Sequence, residues 1–212
     1  MQTVIVDYES GNLHSAQKAF ERMATQLGAG EVLVSARAED VARAERIVLP
    51  GDGAFPACRR ALVAVPGMIE ALEEAVIARG RPFLGICVGM QLLATRGLEY
   101  EDMPGLDWIG GTVERIAPTD PALKVPHMGW NDLVIDHAHP ALAGIQNGQH
   151  AYFVHSYQFR LDDAAHLVAH VDYGGKVSAI VGRDNILGTQ FHPEKSQAMG
   201  LQLIAGFLRW RP

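Results

Sequence analysis

The chain has 212 residues, enough for one large domain that buries roughly 70% of its unfolded surface without disulfide or metal support. Two cysteines, Cys58 and Cys87, are too few for a secreted disulfide framework and fit a reducing compartment, so a cytoplasmic location is expected. Eighteen Lys and Arg against 24 Asp and Glu leave a net charge of −6, which argues against nucleic-acid binding and the basic stripe it requires.

The opening segment, Met1 to Ser10, has no basic region and reaches Asp7 after only three apolar residues, so no signal peptide is expected. No apolar run approaches the ~20 residues of a membrane span. Without repeats, low-complexity tracts or linkers, a single domain over residues 1–212 is the expectation. Val4-Ile5-Val6 reads as a short buried strand. After Gly11-Asn12, the residues Leu13, Ala16, Phe20, Met23 and Leu27 recur at spacings of three and four, one face of a helix. Val32–Val34 and Ile47–Leu49 read as further strands, the second cut off by Pro50-Gly51. Met68 to Arg79 is helical with Gly80 as its stop, Pro82 to Cys87 is an apolar strand, and Met90 to Thr95 resumes a helix. This alternation favours a parallel sheet with helices on both faces.

The second half changes character. Ile109–Ile116, Leu133–Ile135, Tyr152–Phe159, Leu167–Val171 and Val177–Val181 are separated by turn residues without long helices between them. They read as an antiparallel extension or flap. Arg183-Asp184-Asn185 is a hairpin turn into a strand over Ile186–Phe191. Gln197 to Trp210 closes the chain as a helix, with Leu201, Ile204, Ala205 and Leu208 on one face. The expected class is α/β: a central, mostly parallel sheet flanked by helices, with an antiparallel extension.

Gly85-Ile86-Cys87-Val88-Gly89 has the pattern G-x-C-x-G at a strand-to-helix turn, the cysteine form of the nucleophile elbow. Glycines on either side permit a sharp turn beside neighbouring strands, and the turn lifts the sulfur above the carboxyl edge of the sheet. The N-terminus of the following helix favours the thiolate. The plainer alternative is a buried structural cysteine between packing glycines. Cys58 sits in a helical pattern without such a turn and reads as a packed or half-exposed residue.

A thiolate nucleophile needs proton transfer, and His192 is the best placed of the nine histidines. In His192-Pro193-Glu194, residues two apart in an extended segment face the same way, with Pro193 holding the chain extended, so Glu194 can orient the imidazole. A surface turn after a strand is the alternative. His155 has no acid near it in sequence. His137-x-His139 lacks a convincing third metal ligand and reads as a solvated loop before Pro140. Pro50-Gly51-Asp52-Gly53-Ala54-Phe55 lacks the Lys-Ser/Thr of a phosphate loop, yet offers backbone N–H groups that suit an oxyanion.

Gly85 to Gln91 and His192-Pro193-Glu194 together resemble the class I, triad-type, glutamine amidotransferases. Further segments are similar to the members of that family that supply ammonia for imidazole glycerol phosphate formation in histidine biosynthesis. These are Asp7-Tyr8 with Gly11-Asn12, Pro50 to Phe55, Lys124 to Asn131, Tyr152 to Tyr157, and Gln190 to Gln197, so the resemblance runs nearly end to end. That family often has glycine where this chain has Glu9, and an apolar residue where it has Asp52.

The resemblance implies catalysis by Cys87, His192 and Glu194. It implies an oxyanion site at Gly51, Asp52, Gly53 and Val88, and substrate contacts from Gln91, His155, Ser156 and Tyr157. It implies a heterodimer with a (β/α)₈-barrel cyclase through Asn12, Met128, Trp130, Tyr152 and Lys195, with glutamine as substrate and neither cofactor nor metal. An amidotransferase for another acceptor and a non-catalytic binding module are the alternatives. All three triad residues are present, which speaks against the second. The peptide joining Gly51 to Asp52 suggests a switch that turns its N–H towards the sulfur when the partner is engaged. Gly51→Ala would then blunt activation without preventing assembly.

Overall fold

A computed structural model describes residues 1–9, 11 and 13–212, so Asn12 lies outside the described residues. The first half builds the parallel layer: β1 (Gln2–Val6), α1 (Leu13–Leu27), β2 (Glu31–Ser35), α2 (Ala38–Arg43), β3 (Arg46–Gly51), α3 (Phe55–Ala64), α4 (Met68–Leu72), β4 (Phe83–Cys87) and α5 (Val88–Gln91). A π-helical turn over Glu73–Ala78 continues α4, and Gly80 ends it at φ 63°. The second half adds β5 (Arg96–Gly97), β6 (Met103–Pro104), β7 (Gly111–Arg115), β8 (His127–Asp132), β9 (Val134–Ile135) and β10 (His150–His155). After these come β11 (Tyr157–Leu161), β12 (Leu167–Asp172), β13 (Lys176–Arg183), β14 (Ile186–Thr189) and α6 (Gln197–Arg209).

The main sheet runs β2-β1-β3-β4-β14-β13-β12-β9. Its first five strands pair parallel and its last three antiparallel, the mixed α/β layout expected from the sequence. Continuous burial of β1, β3, β4 and β14 follows from helices covering both faces of the parallel part. Two smaller sheets, β10-β8 and β11-β7-β5-β6, carry the remaining strands.

Four local expectations need correction. β3 runs through Pro50 and Gly51 instead of stopping at Leu49, and Gly51 pairs in register with Cys87. The helix expected over Met90–Thr95 starts earlier and ends at Gln91. The carbonyls of Leu92, Leu93 and Ala94 instead accept hydrogen bonds from Leu106, Trp108, Ile109 and Asp107, so a returning loop takes the place of further helical turns. β14 stops at Thr189, two residues short of Phe191. Residues 127–132, not among the strands expected from sequence, form β8. α6 buries Met199, Leu203, Ile204, Phe207 and Leu208, while Leu201 is only partly covered.

A buried arginine fastens the amino edge of this fold. Arg46 is 1% exposed. Its Nε donates to Thr3 Oγ1 at 2.9 Å, its Nη1 to Leu208 O at 3.0 Å and its Nη2 to Ala29 O. One guanidinium thus joins β3 to β1, to the turn after α1 and to the end of α6. Burial lowers its pKa from the usual arginine value, an effect Arg211 adds to.

Candidate active site

Cys87 ends β4 at φ 56° and ψ −114°, a backbone conformation that ordinary residues avoid. The reason lies in how closely three elements meet. A Cβ on Gly85 would lie 2.5 Å from Gly89 O, and one on Gly89 would lie 1.8 Å from Leu49 O. Both glycines of the motif are therefore required by contact, and the sulfur sits at the carboxyl edge of the parallel strands. α5 is only four residues long, so it offers backbone N–H groups rather than the extended macrodipole anticipated from sequence. The positive charge beside the sulfur comes from His192 instead.

His192 Nδ1 is 2.9 Å from Glu194 Oε1, with both side chains below 10% exposure at 9% and 6%. Burial alone would lower the imidazole pKa. Hydrogen bonds to the Cys87 sulfur and the Glu194 carboxylate, with the attraction of both, overcome this and push it up to about 10. The pairing arises differently from the expectation. Pro193–Lys195 forms a single 3₁₀ turn, begun by a proline whose fixed φ suits that position, so the side chains meet through a turn and not an extended segment. Ser196 holds the turn: its Oγ donates to His192 O at 2.8 Å and accepts from the backbone N–H of Tyr152 at 3.1 Å.

A cavity of about 280 Å³ opens beside the sulfur. Cys87, Val88, Asp52, Gly53, Gln91, His155, Ser156 and Tyr157 line it, so eight of the sequence-predicted residues meet there. Gln91 is buried, with its Nε2 donating to Gln190 Oε1 at 3.0 Å and to Tyr157 O at 3.3 Å. Gln190 Nε2 in turn lies 3.8 Å from Cys87 Sγ. On another side, Gly51, Asp52, His192, Glu194 and Lys195 share a smaller cavity of about 60 Å³. A separate cavity of about 770 Å³ is lined by Glu73, Trp108, Arg183 and Asn185 at the starting edge of β14. It contains none of the predicted residues.

Contacts show how Asp52 and Gly51 are held at the end of β3. A methyl on Gly11 would come within 2.7 Å of Asp52 Cβ, so the Asp52 side chain lies against Gly11 in the amino-terminal loop. Its carbonyl accepts from the Cys58 thiol at 3.2 Å. A Cβ on Gly51 would meet Gly89 N at 2.6 Å and Val88 Cβ at 2.8 Å, and Gly51 has no positive φ. Glycine is needed there for contact with the elbow rather than for backbone freedom, which corrects the reading of Gly51→Ala as a clean probe of a switch. The left-handed residue is Gly53, at φ 97° with open space where a Cβ would be.

The remaining candidates also find places. Cys58 is buried in α3, and burial pushes its thiol up to about 11, the state of a packed cysteine. His137 contacts Leu167 O at 2.7 Å, while His139 accepts from Ala141 N at 3.2 Å. Among the described residues no group of three or more His, Cys, Asp or Glu is arranged to hold a metal ion. Met128 and Trp130 stand 62% and 48% exposed on β8, and Trp130 packs edge-on against Tyr152 with ring centroids 5.6 Å apart. Lys195 is exposed. Sequence reasoning missed Glu99, a pocket residue whose carboxylate accepts from Phe55 N at 2.8 Å, together with Ser196 and Gln190. Only the fold brings these three to the site, although Gln190 and Ser196 flank the His-Pro-Glu motif.

A cysteine elbow on a parallel sheet, faced by a His–Glu pair, is the layout of a nucleophilic amide-cleaving enzyme. The family model for glutamine amidotransferase class-I matches residues 4–209, and the chain belongs to that family. It is similar along its whole length to the imidazole glycerol phosphate synthase subunit HisH of Cereibacter sphaeroides, at 69% identity over 212 residues, with 100% of each chain covered. The subunit of the same name from Ruegeria pomeroyi is 64% identical, again with 100% of both chains covered. Among solved structures, a glutamine amidotransferase shares the fold at 20% identity and a TM-score of 0.69, covering 93% of this chain and 94% of that one. Another, from Thermotoga maritima, does so at 16% identity and a TM-score of 0.62, with 92% and 76% covered. No helix among the described residues is long and apolar enough to cross a membrane.

Proposed function

We propose that this chain is the glutaminase subunit of an imidazole glycerol phosphate synthase. As one domain over residues 1–212 it hydrolyses glutamine in the cytoplasm and passes ammonia to a (β/α)₈-barrel cyclase in histidine biosynthesis. The end-to-end identity of 69% to a subunit of that synthase supports the assignment. The observation that carries the chemistry is the strained Cys87 elbow beside a His192 whose proton is held by Glu194 at 2.9 Å.

In this reading the Cys87 sulfur attacks the side-chain amide carbon of glutamine. The backbone N–H of Val88 and those of the Gly51–Gly53 loop receive the oxyanion, each well-placed donor contributing about 3–4 kcal/mol. His192 begins protonated, the form that the Cys87 sulfur and the Glu194 carboxylate favour, and gives its proton to the departing ammonia. The neutral imidazole then takes a proton from water, which cleaves the thioester to glutamate, frees the Cys87 sulfur and leaves His192 protonated again. Glu194 orients the ring and balances its charge throughout. Gln91 and the backbone of His155, Ser156 and Tyr157 hold the amino-acid end of the substrate. Glu99, in the same pocket wall, supplies a carboxylate to face the substrate ammonium. The cyclase docks on Met128, Trp130, Tyr152 and Lys195.

Cys87→Ala tests the assignment. It should abolish glutamine hydrolysis while leaving ammonia-dependent synthesis by the assembled cyclase intact, and Cys58→Ala should keep most activity. Full glutaminase activity in Cys87→Ala would sink it.

A further inference from the structure

Two imidazole side chains that the chemistry described above does not use face each other beneath the exposed ribbon formed by β8 and β10. His127 and His155 are register partners, 2% and 7% exposed, with His127 Nδ1 3.0 Å from His155 Nε2. Their contacts leave one proton order. His155 Nδ1 is 2.8 Å from the Tyr157 carbonyl, which can only accept, so His155 carries its proton on Nδ1. Its Nε2 is then an acceptor, and His127 donates to it from Nδ1. That leaves His127 Nε2 to accept from Asn131 Nδ2 at 3.3 Å, and the same amide nitrogen donates to Asp172 O at 3.0 Å. Each of the four ring nitrogens is satisfied when both rings are neutral and Nδ1-protonated. A proton on His155 Nε2 would set two donors against each other. Burial pushes both rings down to about 4, in agreement with neutrality.

Such a pair could serve packing alone. Its two ends argue for more. At one end, period-two alternation puts Met128, Trp130 and Tyr152 on the outward face of the strands whose inward face carries His127 and His155. His127 is clasped between Phe153 and Tyr173, with ring centroids 4.8 Å and 4.0 Å away, so it follows the ribbon. At the other end, the Tyr157 carbonyl also accepts from Gln91 Nε2, and both residues line the cavity beside Cys87. A shift of the ribbon therefore reaches the peptide units at 155–157 through hydrogen bonds of fixed direction.

We infer that His127 and His155 are positioning residues for glutamine: a neutral, ordered relay, Asn131 to His127 to His155 to the Tyr157 carbonyl, that ties the docking ribbon to the substrate pocket. The inference rests on the glutaminase reading above. Two substitutions in the chain assembled with its cyclase test it. His127→Phe keeps a ring between Phe153 and Tyr173 but removes the donor, and the KM for glutamine should rise about tenfold, the value of one hydrogen bond, with kcat changed less. His127→Asn can return a donor near the Nδ1 position and should recover most of that loss. A KM within about twofold of wild type in an active His127→Phe complex overturns the relay alone. An inactive wild-type complex removes the glutaminase reading and the relay with it. Nitrogen-15 NMR of the wild-type chain at neutral pH gives an answer even if His127→Phe does not fold. Both rings should be Nδ1-protonated, and an Nε2-protonated tautomer on either one overturns the inference.

Discussion

Gly51 and Gly53 stand two residues apart and are glycine for opposite reasons. Gly51 lies in β3 against the elbow, where a methyl group would press on Gly89 N at 2.6 Å. Gly53 has room for a methyl but holds φ at 97°. Gly51→Ala should therefore displace Val88 and Gly89 themselves and lower kcat at least ~100-fold, the scale of one misplaced oxyanion donor, with or without the cyclase. Gly53→Ala pays only local backbone strain and is the better variant for questions about loop motion. Steady-state glutaminase assays of both variants, with and without partner, check this. A Gly51→Ala chain with normal basal kcat and weakened activation would restore the switch at that peptide.

His192 offers a second measurement on a single side chain. Its folded pKa of about 10 lies above the ~6.5 of a free histidine. The group therefore contributes stability that is complete below pH ~6.5 and is lost as the pH rises towards 10. NMR titration of the imidazole should show it protonated through neutral pH, and Glu194→Gln should bring its midpoint down. An imidazole that titrates near 6.5 in the wild type would contradict the arrangement, because the attraction of the sulfur and carboxylate would then be too weak to offset burial.

The ribbon of β8 and β10 shows why one element escaped the sequence while others did not. β1, β3 and β4 are apolar runs buried on both sides, and their pattern is explicit in the chain. β8 inverts the usual alternation: His127 and Asn131 turn inward, while Met128 and Trp130 turn outward. With polar residues inside, apolar ones outside, and Pro126 and Gly129 as apparent breakers, nothing marks it as a strand. The site was legible for the same kind of reason. Gly85, Gly89 and the His192–Glu194 spacing are local signals, whereas His155 beside His127, Phe55 beside Glu99 and Tyr152 beside Ser196 come from distant segments. The outward pair carries a prediction of its own. Trp130 is 48% exposed, so its truncation leaves no core cavity. Trp130→Ala should weaken cyclase binding by ~2 kcal/mol or more with little change in melting temperature. Calorimetric titration against the cyclase and a thermal melt separate the two effects. A large fall in melting temperature with unchanged affinity would make Trp130 a structural residue.

Across the molecule, stability and chemistry occupy opposite ends of the same strands. Arg46 begins β3 and Gly51 ends it, five residues and hence ~16 Å apart in an extended strand. At the Arg46 end, a desolvated guanidinium satisfies the carbonyls of Ala29 and Leu208 and the hydroxyl of Thr3. These contacts join the first strand to the last helix, so the loss of one side chain loosens both ends of the chain together. Arg46→Met retains much of the volume but removes the guanidinium donors to Ala29 O and Thr3 Oγ1, while Leu208 O keeps Arg211 Nη1 at 3.2 Å. That substitution should cost about 2–4 kcal/mol and lower the melting temperature by roughly 10 °C. The elbow is held by contacts of Gly51, Gly85 and Gly89 at the far end, none of which involves Arg46. At temperatures where the variant is folded, kcat and the KM for glutamine should therefore stay within about twofold of wild type. Thermal melts alongside glutaminase assays of the assembled complex at 25 °C read the two quantities independently. A variant that melts normally would show the guanidinium to be dispensable. A folded variant with a kcat reduced tenfold would show that strain at the amino edge travels the length of β3 to the sulfur.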